Sequence, residues 1–139
     1  MGKTEAVDPW VGWPFARLYL LLVALAFLVL GAQVFLFHWR AAFRARTMYL
    51  PVVAAPLLAI AGVAAAVTRD DAVGWTAVAI FAVGLLGGLL GTVLHVRGAA
   101  ARVGGLTLRN LTAGPPPLLP VAFAALAVTG GLAVVWQAL

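Results

Sequence analysis

The chain has 139 residues, 65% of them hydrophobic and 9% charged, with a formal net charge of +5. So short and apolar a chain cannot cover itself with polar surface in water, which excludes a soluble globular enzyme and implies an exterior solvated by lipid. The lack of cysteine excludes disulfides, iron–sulfur ligation, thiol catalysis and covalent haem attachment through Cys-x-x-Cys-His.

A helix needs ~20 mostly apolar residues to cross the ~30 Å hydrocarbon layer. Four such runs occur, at about 15–38, 48–68, 73–96 and 116–137. They are continuous rather than alternating and rich in Ala and Leu, so they read as helices and not as barrel strands. The expected fold class is all-α: a polytopic four-helix transmembrane bundle, with residues 1–139 as a single domain.

The chain opens on a polar tail, 1–13, that ends in Trp10 and Trp13. Pro14 suits a first helical turn, where its missing N–H costs nothing. Run one is too long for the apolar region of a cleaved signal, and its positive flank lies on its C-terminal side, which argues for a membrane helix. It is bulky from Leu18 to Phe37, with Gln33 as its one polar interruption, expected to hydrogen-bond to a neighbouring helix as packing glue. The run closes on His38-Trp39-Arg40, followed by Arg44 and Arg46.

Run two begins with Pro51 in its first turn. Pro56 lies deeper and should kink the helix, because it removes an intrahelical hydrogen bond. Its small residues, among them Ala54, Ala55, Ala59 and Gly62, mark an inner helix. Asp70 and Asp71 precede run three, which carries Gly84, Gly87, Gly88 and Gly91. These four glycines are expected to make one flat packing face, with helix three the most enclosed of the four.

The 97–115 loop holds Arg97, Arg102 and Arg109, with Leu106, Leu108 and Leu111 lying along the interface. Asn110-Leu111-Thr112 matches a glycosylation acceptor, but a loop on the cytoplasmic side makes it a chance match. The stretch from Gly114 to Pro120, with four prolines, is a stiff spacer that aims helix four. The five tryptophans (Trp10, Trp13, Trp39, Trp75, Trp136) all fall at run ends and read as headgroup-depth markers.

The charges set an orientation. The 39–47 and 97–115 connections carry six arginines and no acid, whereas the other segments hold Lys3, Arg17 and Arg69 against Glu5, Asp8, Asp70 and Asp71. Arginine clusters are retained on the cytoplasmic side. The expected location is therefore the inner (cytoplasmic) membrane, with both termini outside the cytoplasm. Arginines divided between two membrane loops are not a nucleic-acid face.

The halves resemble each other. His38-Trp39-Arg40 precedes Pro51 and Pro56, and His95-Val96-Arg97 precedes Pro115 and Pro120. In both halves the prolines are five apart, as in a direct repeat of two helical hairpins about an axis along the membrane normal. That axis would bring His38 and His95 together at one depth. Two neutral imidazoles can hold a b-type haem, with Arg40 and Arg97 suited to its propionates and the glycines below His95 giving room for a ring. The plainer reading takes precedence on sequence alone: each histidine ends its helix at the interface, and no carboxylate stands on that side to orient it.

Nothing else carries chemistry. No acid lies within a span, which argues against a carboxylate proton relay. No Ser/His/Asp set, His-Glu-x-x-His motif or phosphate-binding glycine loop occurs, so no catalytic or metal residues are assigned. The first reading is a non-catalytic accessory or scaffold subunit of a larger membrane complex, partnered by lipid and by other membrane subunits or further copies of itself. The alternative is a bis-histidine haem b electron-transfer subunit.

Overall fold

A computed structural model describes residues 11–138; Trp10 and the tail charges Lys3, Glu5 and Asp8 lie outside them. The elements are α1 (Phe15–Arg40), a 3₁₀ turn (Arg46–Met48), α2 (Tyr49–Val67), α3 (Asp71–Val103), α4 (Leu108–Ala113) and α5 (Leu118–Ala138). Among the described residues there is no strand. Four of the helices are long and apolar enough to cross a membrane, α2 together with its 3₁₀ turn. The fold is an all-α four-helix bundle, and the chain is a multi-pass membrane protein.

Local chemistry sets the helix ends. The amides of Arg17 and Leu18 both bond the carbonyl of Pro14. Asp70 caps α3, its Oδ1 accepting from the amides of Ala72 at 2.8 Å and Val73 at 3.1 Å. Thr107 caps α4 through its hydroxyl, which accepts from the amide of Asn110. Helix α3 stops at Gly104, whose φ of +85° is the left-handed stop that glycine takes without strain. It thus runs seven residues past the expected limit of 96, so Arg97 and Arg102 sit on helix rather than loop. The run Ala99-Ala100-Ala101 is a strong helix former and carries the helix through.

Helix α1 packs on α2 and α5, and α3 packs on the same two, so α1 and α3 occupy opposite corners of the bundle. The closest approaches lie within two hairpins, α1–α2 and α3–α5. A Cβ placed on Gly31 would lie 2.6 Å from the Cβ of Ala55; one on Gly88 would lie 2.7 Å from the backbone nitrogen of Ala124. Dispersion between closely approaching backbones drives such contacts in lipid. At mid-depth the hairpins are pinned together by Phe27, which meets Phe81 at 6.2 Å and Phe123 at 5.1 Å between ring centres.

The two hairpins match at two close contacts. His38 and His95 are 57 positions apart, and so are Gly31 and Gly88, and Ala24 and Phe81. Their partners on the second helix of each hairpin are 69 apart: Ala55 with Ala124, and Gly62 with Gly131. Gly62 lies against Ala24 as Gly131 lies against Phe81. This register corrects the proline alignment read from sequence. Pro51 and Pro120 each stand third in their helices and correspond, whereas Pro115 precedes α5 and Pro56 lies inside α2.

The glycine face also differs from expectation. A Cβ on Gly84 would meet Leu58, and one on Gly91 would meet Pro120, alongside the Gly88 contact with Ala124. Gly87 is exposed and a Cβ there meets nothing within 4 Å. Positions 84, 88 and 91 follow one helical face and 87 falls to its side. Nor is α3 the most enclosed helix. Of its most apolar window 22% is buried, against 39% for α2, whose alanines sit among all the other helices. Gln33 is exposed on the outer face of α1 and makes no hydrogen bond among the described residues. It is therefore not glue within the bundle.

Candidate functional site

The site is at the arginine-bearing end, where the diagonal helices α1 and α3 each carry a histidine. The His38 and His95 rings meet edge-on, with centres 6.4 Å apart and planes at 86°. Both are partly buried. Each hairpin contributes one ring, from positions that are equivalent in the shared contact register.

His95 is held in place. Its Nδ1 lies 2.8 Å from the carbonyl oxygen of Pro116. A carbonyl only accepts, so Nδ1 carries the proton and donates, and in the neutral ring the lone pair is on Nε2. This is the arrangement in which a backbone carbonyl fixes the tautomer of a ligating imidazole. The proline-rich linker into α5 supplies that carbonyl, a use beyond the spacer role read from sequence.

His38 differs. Its Nδ1 is enclosed and has no hydrogen-bond partner among the described residues. An enclosed polar atom with no partner costs about 1–3 kcal/mol, so it marks either strain or a place for a ligand. The backbone over it is unusual as well. Ala42 and Phe43 take φ of 56° and 44°, a left-handed region that non-glycine residues rarely adopt. The amide of Phe43 donates to the carbonyl of His38 at 3.0 Å, and its ring stacks on Tyr49 with centres 4.4 Å apart. The Phe43 ring also lies 6.1 Å from the His38 imidazole. Phe43, stacked on Tyr49, thus packs beside the histidine. No sequence signal pointed to them, because the turn that brings them together is set by strained backbone and not by a motif.

Two imidazoles on opposite sides of one metal, each with its nitrogen about 2 Å from it, have ring centres roughly 6 Å apart. The observed spacing suits a shared metal-centred group and is too long for a direct imidazole–imidazole hydrogen bond. Arg40 and Arg97 follow the histidines by two residues each and are exposed at the same end. The glycines below His95 do not supply room, which corrects the expectation: Gly88 and Gly91 are closed against Ala124 and Pro120 inside the second hairpin. Room for a ring would lie between the hairpins, which are pinned by the phenylalanines 11 residues before His38 and 14 before His95. At 1.5 Å per residue, that is some 16–21 Å further along the bundle.

Among the described residues there is no group of three or more His, Asp or Glu that would hold a metal ion by themselves. Comparison with family models, with curated proteins and with solved structures finds no match.

Proposed function

We propose that this chain is an integral membrane subunit that would hold a b-type haem between its two hairpins through His38 and His95. The carrying observation is the pair itself: two imidazoles from diagonal, pseudo-equivalent helices, one tied by a backbone carbonyl and the other with an enclosed nitrogen lacking a partner. A b-type haem supplies reversible one-electron chemistry at its iron. The chain's own residues hold and orient the ligand, and the guanidinium groups of Arg40 and Arg97 stand ready for propionates. In this reading the chain works beside other membrane proteins, in the inner membrane, with its arginine end on the cytoplasmic side.

The absorption spectrum tests this. Protein from haem-sufficient cells should show a Soret band that shifts on reduction, and His38→Ala or His95→Ala should each abolish it. Colourless protein would remove the reading.

A second reading is a cofactor-free accessory subunit that acts by self-association. The lipid-facing carboxamide of Gln33 favours it. This group lies in an apolar groove with Leu22, Leu25, Val29 on α1 and Ala122 and Leu126 on α5. A carboxamide both donates and accepts, so a second copy related by a two-fold axis satisfies it.

A further inference from the structure

The opposite, acid-bearing end of the bundle holds a half-open cavity of about 70 Å³ between the end of α2, the start of α3 and the end of α5. Its polar lining is Thr68, Arg69, Asp70, Asp71 and Gln137. Gln137 is 8% exposed, and both Nε2 and Oε1 of its carboxamide are enclosed without a hydrogen-bond partner among the described residues. A buried amide that forgoes both of its bonding roles carries a desolvation cost that a bound polar group would offset. Within the cavity Thr68, Arg69 and Asp70 already have partners of their own. Asp70 Oδ1 caps α3, and the Thr68 hydroxyl accepts from the amide of Asp70 at 3.2 Å. Asp71 is exposed at the rim, and so is Trp75. Trp75 and Trp136 lie outward at this end and mark headgroup depth.

We propose that this cavity binds the primary ammonium end of a small zwitterion of the ethanolamine phosphate type, taken from a lipid headgroup or from solution. The chemistry is complementary at each point. The ammonium N–H groups donate to Gln137 Oε1 and to the Asp71 carboxylate. The Gln137 amide N–H donates to an oxygen of the phosphate. The volume fits a two-carbon ammonium end, being about that of two waters at ~30 Å³ each. A choline group, with no N–H and three added methyls, satisfies neither Gln137 nor the space. A phosphatidylglycerol headgroup offers no cation to the acids.

The full-length protein is reconstituted in phosphatidylcholine nanodiscs doped with equal amounts of phosphatidylethanolamine and phosphatidylglycerol. Lipid retained after exchange into mild detergent is counted by native mass spectrometry. A parallel titration uses free ethanolamine phosphate. Phosphatidylethanolamine should be enriched several-fold over both other lipids. Gln137→Leu should lower that enrichment about tenfold, as expected for loss of a charge-assisted hydrogen bond. Gln137→Glu should keep or strengthen it, which separates binding from a folding defect. Binding of free ethanolamine phosphate with the same dependence on position 137, without lipid enrichment, would support the same chemistry from a soluble source. Equal retention of the three lipids with no binding of the free compound, or an unchanged Gln137→Leu, would overturn the proposal.

Discussion

The imidazole of His95 is tied to the carbonyl of Pro116, 21 residues on in the chain, at 2.8 Å. The bond joins α3, two turns before its end, to the linker that opens α5. It does for that hairpin what the strained Ala42–Phe43 turn and the Phe43–Tyr49 stack do for the first. Each histidine is thereby held by its own hairpin, and the distance between the two reports how the hairpins sit against each other.

The two histidines should differ in stability terms even in cofactor-free protein. His95→Leu removes the donor to Pro116 and leaves a carbonyl unserved, at a cost of about 1 kcal/mol for a partly buried group. His38→Leu removes an enclosed nitrogen with no partner and keeps the volume, so it should be neutral or stabilising. Thermal unfolding in detergent is the check. Expected is a lower Tm for His95→Leu only; equal losses would show that the Pro116 tie contributes nothing.

Glycine positions on α3 should split cleanly. Gly88 has no room for a side chain, because its Cβ would lie within 3 Å of the Ala124 backbone, whereas Gly87 faces outward with open space. Overpacking costs about 1–3 kcal/mol per site. Gly88→Leu should therefore sharply reduce monodisperse protein by fluorescence-detected chromatography, and Gly87→Leu should leave it unchanged. Gly31→Leu should behave like Gly88→Leu, since Ala55 blocks it in the equivalent place. If Gly87→Leu proved as harmful as Gly88→Leu, the assigned seam would be wrong.

The spans were legible in the sequence because length and continuous hydropathy alone define them. The pairing of His38 with His95 was legible as an expectation, since both precede a boundary arginine on helices of the same direction. What was not legible depended on helical phase and on tertiary contact. Gly87 belongs to the same sequence cluster as Gly84 and Gly88 yet lies off their face. Two prolines five apart suggested a repeat in the wrong register, because spacing along a chain does not say which turn of a helix a proline occupies. The Pro116 carbonyl and the enclosed amide of Gln137 carry no motif: one is backbone, and the other is a single polar residue at a helix end.

Orientation is tested by reporter fusions. The arginine-bearing connections should lie in the cytoplasm and both termini outside it, because six arginines with no acid flank one end of the bundle. Alkaline phosphatase fused after Leu139 should be active, and the same enzyme inserted at the 104–107 turn should be silent. The reverse pattern would invert the assignment and move the histidine pair to the outer face.

Self-association is expected to run through Gln33. The side chain is exposed on α1, where a carboxamide in hydrocarbon forgoes the hydrogen bonds that water would give it. Two copies meeting on the α1–α5 groove would let each amide donate to and accept from the other. Interhelical bonds of this kind in membranes contribute about 0.6–1.7 kcal/mol, so Gln33→Leu should weaken a dimer roughly threefold or more. The substitution keeps the groove apolar and removes only the hydrogen bonding, so loss of the dimer cannot be blamed on packing. Energy transfer between labelled copies in liposomes, followed across protein-to-lipid ratios, measures the change. A dimer that is equally strong with leucine at position 33 would show that the amide is not its contact.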